Sequence, residues 1–174
     1  MEIVRSERLY SGRVVALRID EARLDDGRVV RWEVVEHGES VTVVPVRDDG
    51  SVVLVRQYRH PTGEMLLETV AGGVDPGEDP LAAAQRELAE EVGCSAREWR
   101  RLGEFYLAPG WATERMHVFL ARGLASASAP ADDDEAIARV EIPWAELHER
   151  IRRGEIRDAK SIAAIHLAEP YVRP

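Results

Sequence analysis

Hydrophobic and polar residues alternate along the first forty positions, the pattern of half-buried β-strands. Two Asp-Asp-Gly triplets, at residues 25–27 and 48–50, are each flanked by strand-like segments and predict two hairpin turns. A short apolar strand is predicted over "EMLLETV", residues 64–70, and it ends at the Ala-Gly-Gly of residues 71–73. The N-terminal half of the chain is therefore predicted to be rich in strands.

The periodicity becomes helical after residue 79. Asp79 is a good N-cap, Pro80 suits the first helical position, and Gly93 favours the C-terminal end of a helix. The apolar positions fall on one stripe of this helix, which predicts its buried face; they are Leu81, Ala84, Leu88 and Val92.

The second half of the chain mixes both element types. Strands are predicted over residues 99–108, 115–123 and 136–142, helices over 143–153 and 160–168, and a low-complexity loop over 124–135. No internal repeat is present. The pattern predicts an α+β fold with an N-terminal β meander at residues 1–40, followed by a larger domain at residues 41–174.

Composition narrows the choice of partner and compartment. The chain has 174 residues, of which 45% are hydrophobic and 32% charged, and its net charge is −9. This charge disfavours nucleic acid or an anionic membrane as the main partner. No apolar run reaches the roughly 18–20 residues that cross a bilayer. The single cysteine, Cys94, cannot form an intrachain disulfide, so we expect a cytoplasmic protein.

Acidic residues are clustered on the predicted helix along the edge of its buried face. Glu87 and Glu91 share the edge of the apolar stripe, Glu90 lies slightly further round, and Arg86 lies on the opposite flank. Neighbouring carboxylates repel each other, and a hard cation such as Mg²⁺ or Mn²⁺ relieves that repulsion. On helix composition alone, a solvated acidic face explains the pattern equally well.

The flanking residues favour the metal site. The stretch "GGVDPGEDPLAAAQRELAEEVGC" (residues 72–94) resembles the Nudix box, and so the chain resembles the Nudix hydrolase family. The matching positions are Gly72, Glu78, Arg86, Glu87, Leu88, Glu90, Glu91, Gly93 and Cys94. The resemblance implies an α/β/α sandwich in which this segment forms a loop, a helix and a second loop.

The same resemblance assigns expected roles within the box. It implies that Glu87 and Glu91 are metal ligands, that Glu90 assists or bridges, and that the Ala71 carbonyl is a further ligand. Four further box residues are expected to be structural: Gly72, Glu78, Arg86 and Gly93. Of these, Glu78 and Arg86 are expected to hold the loop to the helix. Mg²⁺ is the expected cofactor, with Mn²⁺ as an alternative.

Segments outside the box resemble the ADP-ribose pyrophosphatase subgroup of that family. They are "LVRQYRHP" (54–61), "LLETVAGG" (66–73), "FYLAPGWATERMHVFLA" (105–121) and "GEIRDAKSIAAIHLA" (154–168). Pro109 lies sixteen residues beyond Gly93, where the subgroup carries a proline, although a simple turn also explains it. Val70 stands where the subgroup more often has proline.

Substrate contacts are expected on several of these segments. At least one of Arg56 and Arg59 is expected to meet phosphate, with Arg59 preferred, and Glu68 is expected to face the active site. Glu114 either binds metal or caps a strand. Trp32 either packs on the sheet or stacks on adenine of a partner subunit's substrate, because relatives form homodimers through this region.

The resemblance implies Mg²⁺-dependent hydrolysis of ADP-ribose to AMP and ribose 5-phosphate. Glu135, in the acidic loop after the box, is the expected general base, with Asp133 and Asp134 as competitors and a solvated loop tip as the plain alternative. One alternative substrate is GDP-mannose or another nucleoside diphosphate sugar. The alternative from another class is a non-catalytic module that binds ADP-ribose.

Overall fold

The protein consists of two compact units in a computed structural model that describes residues 1–127 and 137–172. One unit combines Met1–Glu39 with Phe105–Arg115, and the other combines Ser40–Glu104 with Met116–Pro174. The first unit therefore takes a short segment from the middle of the chain.

The first unit is built on a three-stranded antiparallel sheet in the order β1-β2-β3. Its strands are β1 (Glu2–Ser11), β2 (Val15–Arg23) and β3 (Val29–His37). The turn between β2 and β3 contains Gly27 at φ 86°, a left-handed conformation that glycine adopts without steric cost. The hairpin predicted at residues 25–27 is confirmed. All ten residues of β1 are exposed.

The second segment of this unit is hydrogen-bonded to the end of β3. The Val35 amide donates to the Trp111 carbonyl at 2.8 Å, and the Thr113 amide donates to the Val35 carbonyl at 3.0 Å. The His37 amide donates to the Thr113 hydroxyl at 2.9 Å. These bonds attach the loop that contains Pro109 and Glu114 to the N-terminal sheet.

The second unit contains two sheets. A mixed sheet has the order β7-β4-β9-β8, in which β4 is antiparallel to β7 and parallel to β9. An antiparallel sheet has the order β10-β5-β6. The strands are β4 (Ser40–Pro45), β5 (Ser51–Arg59), β6 (Glu64–Glu68), β7 (Val70–Gly73), β8 (Cys94–Tyr106), β9 (Arg115–Ser126) and β10 (Ile137–Pro143).

Helix α1 (Pro80–Val92) packs against β7 and β4 and carries the box carboxylates. Its limits follow from the predicted caps, because the Asp79 side chain accepts a hydrogen bond from the Leu81 amide at 2.9 Å and Gly93 adopts φ 62°. The buried residues of the helix are Ala83, Ala84, Leu88 and Val92. The helix, its caps and the apolar face along Ala84, Leu88 and Val92 are therefore as predicted.

The Asp79→Ala variant should lower the free energy of unfolding by about 1 kcal/mol, because two amides of the first turn lose their acceptor. Asp79→Asn keeps an acceptor oxygen and is the matched control, for which we expect a much smaller loss. Urea denaturation followed by circular dichroism measures both. Equal losses in the two variants would contradict the capping role.

Two sequence predictions about strands need correction. The segment at residues 64–70 was expected to be one strand, but it breaks at Thr69 into β6 and β7, which belong to different sheets. The Thr69 amide donates to the Ser161 hydroxyl at 2.8 Å instead of continuing a strand ladder. Strand β8 starts at Cys94, directly after the α1 cap, and not near Trp99.

The C-terminal part of the second unit is helical. Helices α2 (Trp144–Arg152) and α3 (Ala159–Ala168) lie within about one residue of their predicted limits, and a 3₁₀ turn follows at Glu169–Tyr171. Within residues 1–127 and 137–172, no helix is long and apolar enough to cross a membrane.

Candidate active site

The close approach of Gly72 to Glu87 defines the centre of the site. A Cβ atom placed on Gly72 would lie 2.0 Å from both Cδ and Oε1 of Glu87 and 2.4 Å from its Oε2. Only glycine leaves room for a carboxylate against the strand backbone at this distance. The Glu87 side chain is 13% exposed, so helix α1 presents a largely covered carboxylate to the end of β7.

A second carboxylate joins the helix to the same strand. The Ala71 amide donates a hydrogen bond to Oε2 of Glu91 at 3.1 Å. Glu87 and Glu91 are one helical turn apart, so both reach strand β7 from the same side of α1. The structure therefore brings together Ala71, Gly72, Glu87 and Glu91, which the sequence assigned to one site.

Arg86 connects the loop before the helix to the carboxylates on it. Its Nε and Nη2 donate to the two carboxylate oxygens of Glu78 at 3.2 and 3.1 Å, and its Nη2 also donates to the Gly73 carbonyl at 2.9 Å. Its Nη1 donates to Glu87 at 2.6 Å and to Glu90 at 3.1 Å. Although the helical angle places Arg86 on the opposite flank, its long side chain reaches the acidic edge.

These contacts shift the acid–base equilibria of the loop and helix. Hydrogen bonds to Glu78 and then to Glu87 raise the pKa of Arg86, and burial opposes this effect only in part. The hydrogen bond from Arg86, together with one from the Asp75 amide, lowers the pKa of Glu78. Both groups are therefore charged at neutral pH, which maintains the link between loop and helix.

The donor set suits a hard divalent cation. The candidate ligands are the carboxylates of Glu87, Glu90 and Glu91 and the Ala71 carbonyl, and all four are oxygen donors of the kind that Mg²⁺ and Mn²⁺ prefer. The Arg86 guanidinium already brings a positive charge to these carboxylates, because it forms ion pairs with both Glu87 and Glu90. In the part of the chain that the structure describes, no three His, Cys, Asp or Glu side chains are already gathered as a metal cluster.

Arg59 and Glu68, both predicted to contact substrate, are bound to each other. Arg59 donates from Nε to Oε1 of Glu68 at 3.0 Å and from Nη2 to Oε2 at 2.7 Å. Glu68 is 1% exposed, and Lys160 forms a second ion pair with it. Burial by itself raises the pKa of Glu68, but the Arg59 hydrogen bond and the Lys160 charge outweigh it, so this pKa lies below its ordinary value.

Arg56 lies apart from this pair. It is opposite Leu67 in the β5–β6 ladder, whereas Arg59 is three residues further along β5 and therefore on the other face. Arg56 lines a cavity of about 290 Å³ together with Met65 and Arg157. The structure thus separates the two arginines that the sequence considered together.

The remaining described candidates belong to the first unit. Trp32 lies on β3 opposite Asp20 and is 40% exposed. Pro109 is exposed in a turn where the Ala108 carbonyl accepts hydrogen bonds from the amides of residues 111 and 112. A Glu114 carboxylate oxygen lies 3.8 Å from Nδ1 of His37. Glu135 and its competitors Asp133 and Asp134 lie outside the described residues.

Lys160 is the functional candidate that the sequence did not single out. It lies in the first turn of α3, 92 positions from the Glu68 that it contacts. It is the only lysine in the chain. The sequence shows this, but it does not indicate where in the fold the lysine side chain lies.

Comparison with known proteins identifies the family. The family model described as the NUDIX domain matches residues 36–165. An ADP-ribose pyrophosphatase of Mycobacterium tuberculosis is 41% identical over 167 residues, covering 94% of this chain and 81% of that protein. A methanol dehydrogenase activator of Bacillus methanolicus is 36% identical over 166 residues, covering 93% and 89%.

Two further similarities concern substrate and fold. A GDP-mannose pyrophosphatase of Klebsiella pneumoniae is 38% identical over 149 residues, covering 79% of this chain and 75% of that protein. A crystal structure of an ADP compounds hydrolase superposes with a TM-score of 0.88 at 27% identity, covering 97% of this chain and 92% of that one.

The chain belongs to the Nudix family, and it is a Nudix hydrolase. The resemblance drawn from the box and the α+β Nudix fold expected from it are both confirmed. The roles of individual site residues stay predictions.

Proposed function

We propose that this protein hydrolyses the diphosphate bond of ADP-ribose to AMP and ribose 5-phosphate in a Mg²⁺-dependent reaction. The observation that carries the proposal is the Glu87 carboxylate held against Gly72, beside a Glu91 bound to the Ala71 amide. The names of relatives at 34% and 41% identity, both ADP-ribose pyrophosphatases, support the choice of substrate.

The carboxylates of Glu87, Glu90 and Glu91 and the Ala71 carbonyl would hold Mg²⁺, with Mn²⁺ as the alternative ion. When bound, such a metal neutralises charge on the diphosphate and lowers the pKa of a water molecule. Arg86 would hold the loop before α1 in a fixed position relative to the helix carboxylates, through its hydrogen bonds to Glu78 and Glu87. Arg59, which Glu68 holds through two hydrogen bonds, would bind a diphosphate oxygen through its guanidinium.

In the proposed reaction, water attacks one phosphorus and the bridging P–O bond breaks. The attacking oxygen stays on one product, and the bridging oxygen leaves with the other. Glu135 is our candidate for the base that takes the proton from water. Trp32, Pro109 and Glu114 are retained as candidate contacts to the substrate.

The Glu135→Gln variant should lose about 10²–10⁴-fold in kcat, the usual contribution of a general base. Stoichiometric Mn²⁺ binding should persist, because the box carboxylates are untouched. The matched controls are Asp133→Asn and Asp134→Asn, which remove the same charge from the same acidic stretch of sequence. An unchanged kcat in Glu135→Gln, with a large loss in either control, would reassign the base.

A substrate panel tests the proposed function. ADP-ribose, GDP-mannose, NADH and diadenosine polyphosphates are each incubated with Mg²⁺ and with EDTA, and the released phosphate esters are quantified. We expect metal-dependent cleavage of ADP-ribose well above the others. Preferred cleavage of GDP-mannose would favour the second candidate, which the Klebsiella relative's name supports. Binding without any cleavage would favour an ADP-ribose-binding module.

We also propose a cytoplasmic homodimer. Cys94 is buried and forms no disulfide, which suits a reducing compartment. Strand β1 is the edge of its sheet and exposes Ile3, Val4 and Leu9 among its charged residues, so its backbone and these apolar side chains could pair with a second copy.

Light scattering should give the mass of a dimer for the full chain. A double variant, Ile3→Arg with Leu9→Arg, should give the mass of a monomer, because charge on an edge strand opposes pairing. A monomeric wild-type chain with full activity at working concentration would contradict the dimer.

A further inference from the structure

A buried charge cluster links strand ends β5 and β6 to the start of helix α3. Its four members are Arg59, Glu68, Asp158 and Lys160. Lys160 Nζ contacts Oε2 of Glu68 and lies 2.9 Å from Oδ1 of Asp158. The Glu68 carboxylate is therefore shared between an arginine and a lysine.

The cluster is covered at its base and open at one end. The Glu68, Lys160 and Asp158 side chains are 1%, 12% and 13% exposed, whereas the Arg59 side chain is 33% exposed. Buried charges persist in proteins when they are paired, and this cluster contains two cations and two anions. The most exposed of its charged groups is a guanidinium, the group best suited to bind phosphate oxygens.

A second set of bonds fixes where Lys160 stands. Asp158 caps α3 by accepting from the Ser161 amide at 3.1 Å, and the Ser161 hydroxyl accepts from the Thr69 amide at 2.8 Å. The Thr69 hydroxyl lies 2.7 Å from that of Thr42 on β4. The first turn of α3 is thereby attached to the chain between Glu68 and Ala71, where the candidate metal site begins.

We infer that Lys160 is a positioning residue that, through Glu68, holds the Arg59 guanidinium in the orientation that binds the substrate diphosphate. This inference rests on the proposed function, in which Arg59 meets the diphosphate. The two-point contact with Glu68 sets the plane of the guanidinium. Lys160 also forms an ion pair with Glu68, so Arg59 is not the only counter-ion of Glu68.

Removal of the lysine charge changes the cluster from neutral to net negative. Glu68 then interacts with Arg59 alone, and an anionic substrate meets extra repulsion. Lys160→Met should therefore raise the KM for ADP-ribose about tenfold with kcat within about threefold, the signature of a lost interaction that is equally strong in the ground state and the transition state. Lys160→Arg keeps the charge and should recover most of this loss.

The matched control is Arg157→Met. It removes one positive charge only three positions away, from a side chain that is 50% exposed and paired with Glu64 instead of the cluster. Its KM should stay within about twofold of the wild-type value. If Lys160→Met lowers the melting temperature but leaves KM and kcat unchanged, Lys160 is purely structural and the inference is overturned.

The single lysine also permits a test that needs no turnover. Protein grown with [ε-¹³C]lysine should give one lysine Cε resonance, from Lys160. Addition of α,β-methylene ADP-ribose with Mg²⁺ should shift this resonance in the wild-type chain. The shift should disappear in Arg59→Met, because the ligand then no longer acts on Glu68.

The two measurements separate failure of the inference from failure of the proposed function. Suppose that ADP-ribose is not cleaved but GDP-mannose is, and that a non-hydrolysable methylene analogue of GDP-mannose shifts the resonance in the wild-type chain but not in Arg59→Met. The proposed substrate is then wrong and the role of Lys160 stands. If ADP-ribose is cleaved while the analogue leaves the resonance unmoved and Lys160→Met is kinetically silent, the substrate stands and the inference is overturned.

Discussion

The Glu91→Gln variant is expected to lose at least about 10²–10³-fold in kcat for ADP-ribose, the scale seen when one transition-state electrostatic contact is removed. The substitution is selective. Glutamine keeps a side-chain oxygen that accepts the Ala71 amide, so the bond between α1 and β7 survives. What disappears is the negative charge, and the number of charged ligands sets much of the affinity for a divalent cation.

Mn²⁺ titration and thermal melting complete this test. Glu91→Gln should bind Mn²⁺ more weakly than the wild-type chain and melt at nearly the same temperature. The matched control is Glu98→Gln, which removes the same charge from an exposed position on β8. Activity within about twofold of wild type, with unchanged Mn²⁺ affinity, would show that Glu91 is not a metal ligand and would favour a solvated acidic face.

Helix α1 was predictable because its determinants are local. The cap at Asp79, the glycine at position 93 and the apolar stripe all lie within fifteen residues of one another. The helical angle also placed Glu87 and Glu91 on one edge correctly. It failed for Arg86, because the angle locates Cβ, and a long flexible side chain reaches carboxylates on the other flank.

Features that depend on distant residues were not predictable from pattern alone. Residues 64–70 were predicted to form one apolar strand, and the break at Thr69 is associated with a hydrogen bond to Ser161, 92 positions away. The Glu68–Lys160 pair has the same separation. Likewise, the segment Phe105–Arg115 joins the N-terminal sheet through bonds to Val35, which no local spacing encodes.

The family resemblance and the structure contribute different things to the site. Box spacing indicates which carboxylates belong together, because the spacing reflects a helix. It does not explain why position 72 must be glycine. The structure supplies that reason, since the carboxylate of Glu87 occupies the space where a Cβ would be. A residue assigned only a structural role thus controls the position of a candidate ligand.

The Gly72→Ala variant should therefore lose activity while keeping its fold. The added Cβ would stand 2.0 Å from Cδ of Glu87, so one of the two groups must move. The Glu87 carboxylate ends a flexible side chain and moves more easily than the strand backbone, which limits the loss of stability. A displacement of about 1 Å in a catalytic group costs on the order of 10²-fold in rate.

Gly73→Ala is the matched steric control, because a Cβ at that position meets nothing within 4 Å and the backbone there does not need glycine. We expect kcat for Gly73→Ala within about threefold of wild type, against a loss of about 10²-fold for Gly72→Ala. Both variants should melt within a few degrees of the wild-type chain. Equal losses of activity in the two variants would mean that the contact with Glu87 is not the reason for glycine at position 72. A Gly72→Ala variant with full activity would show that activity does not require the Glu87 carboxylate to lie against residue 72.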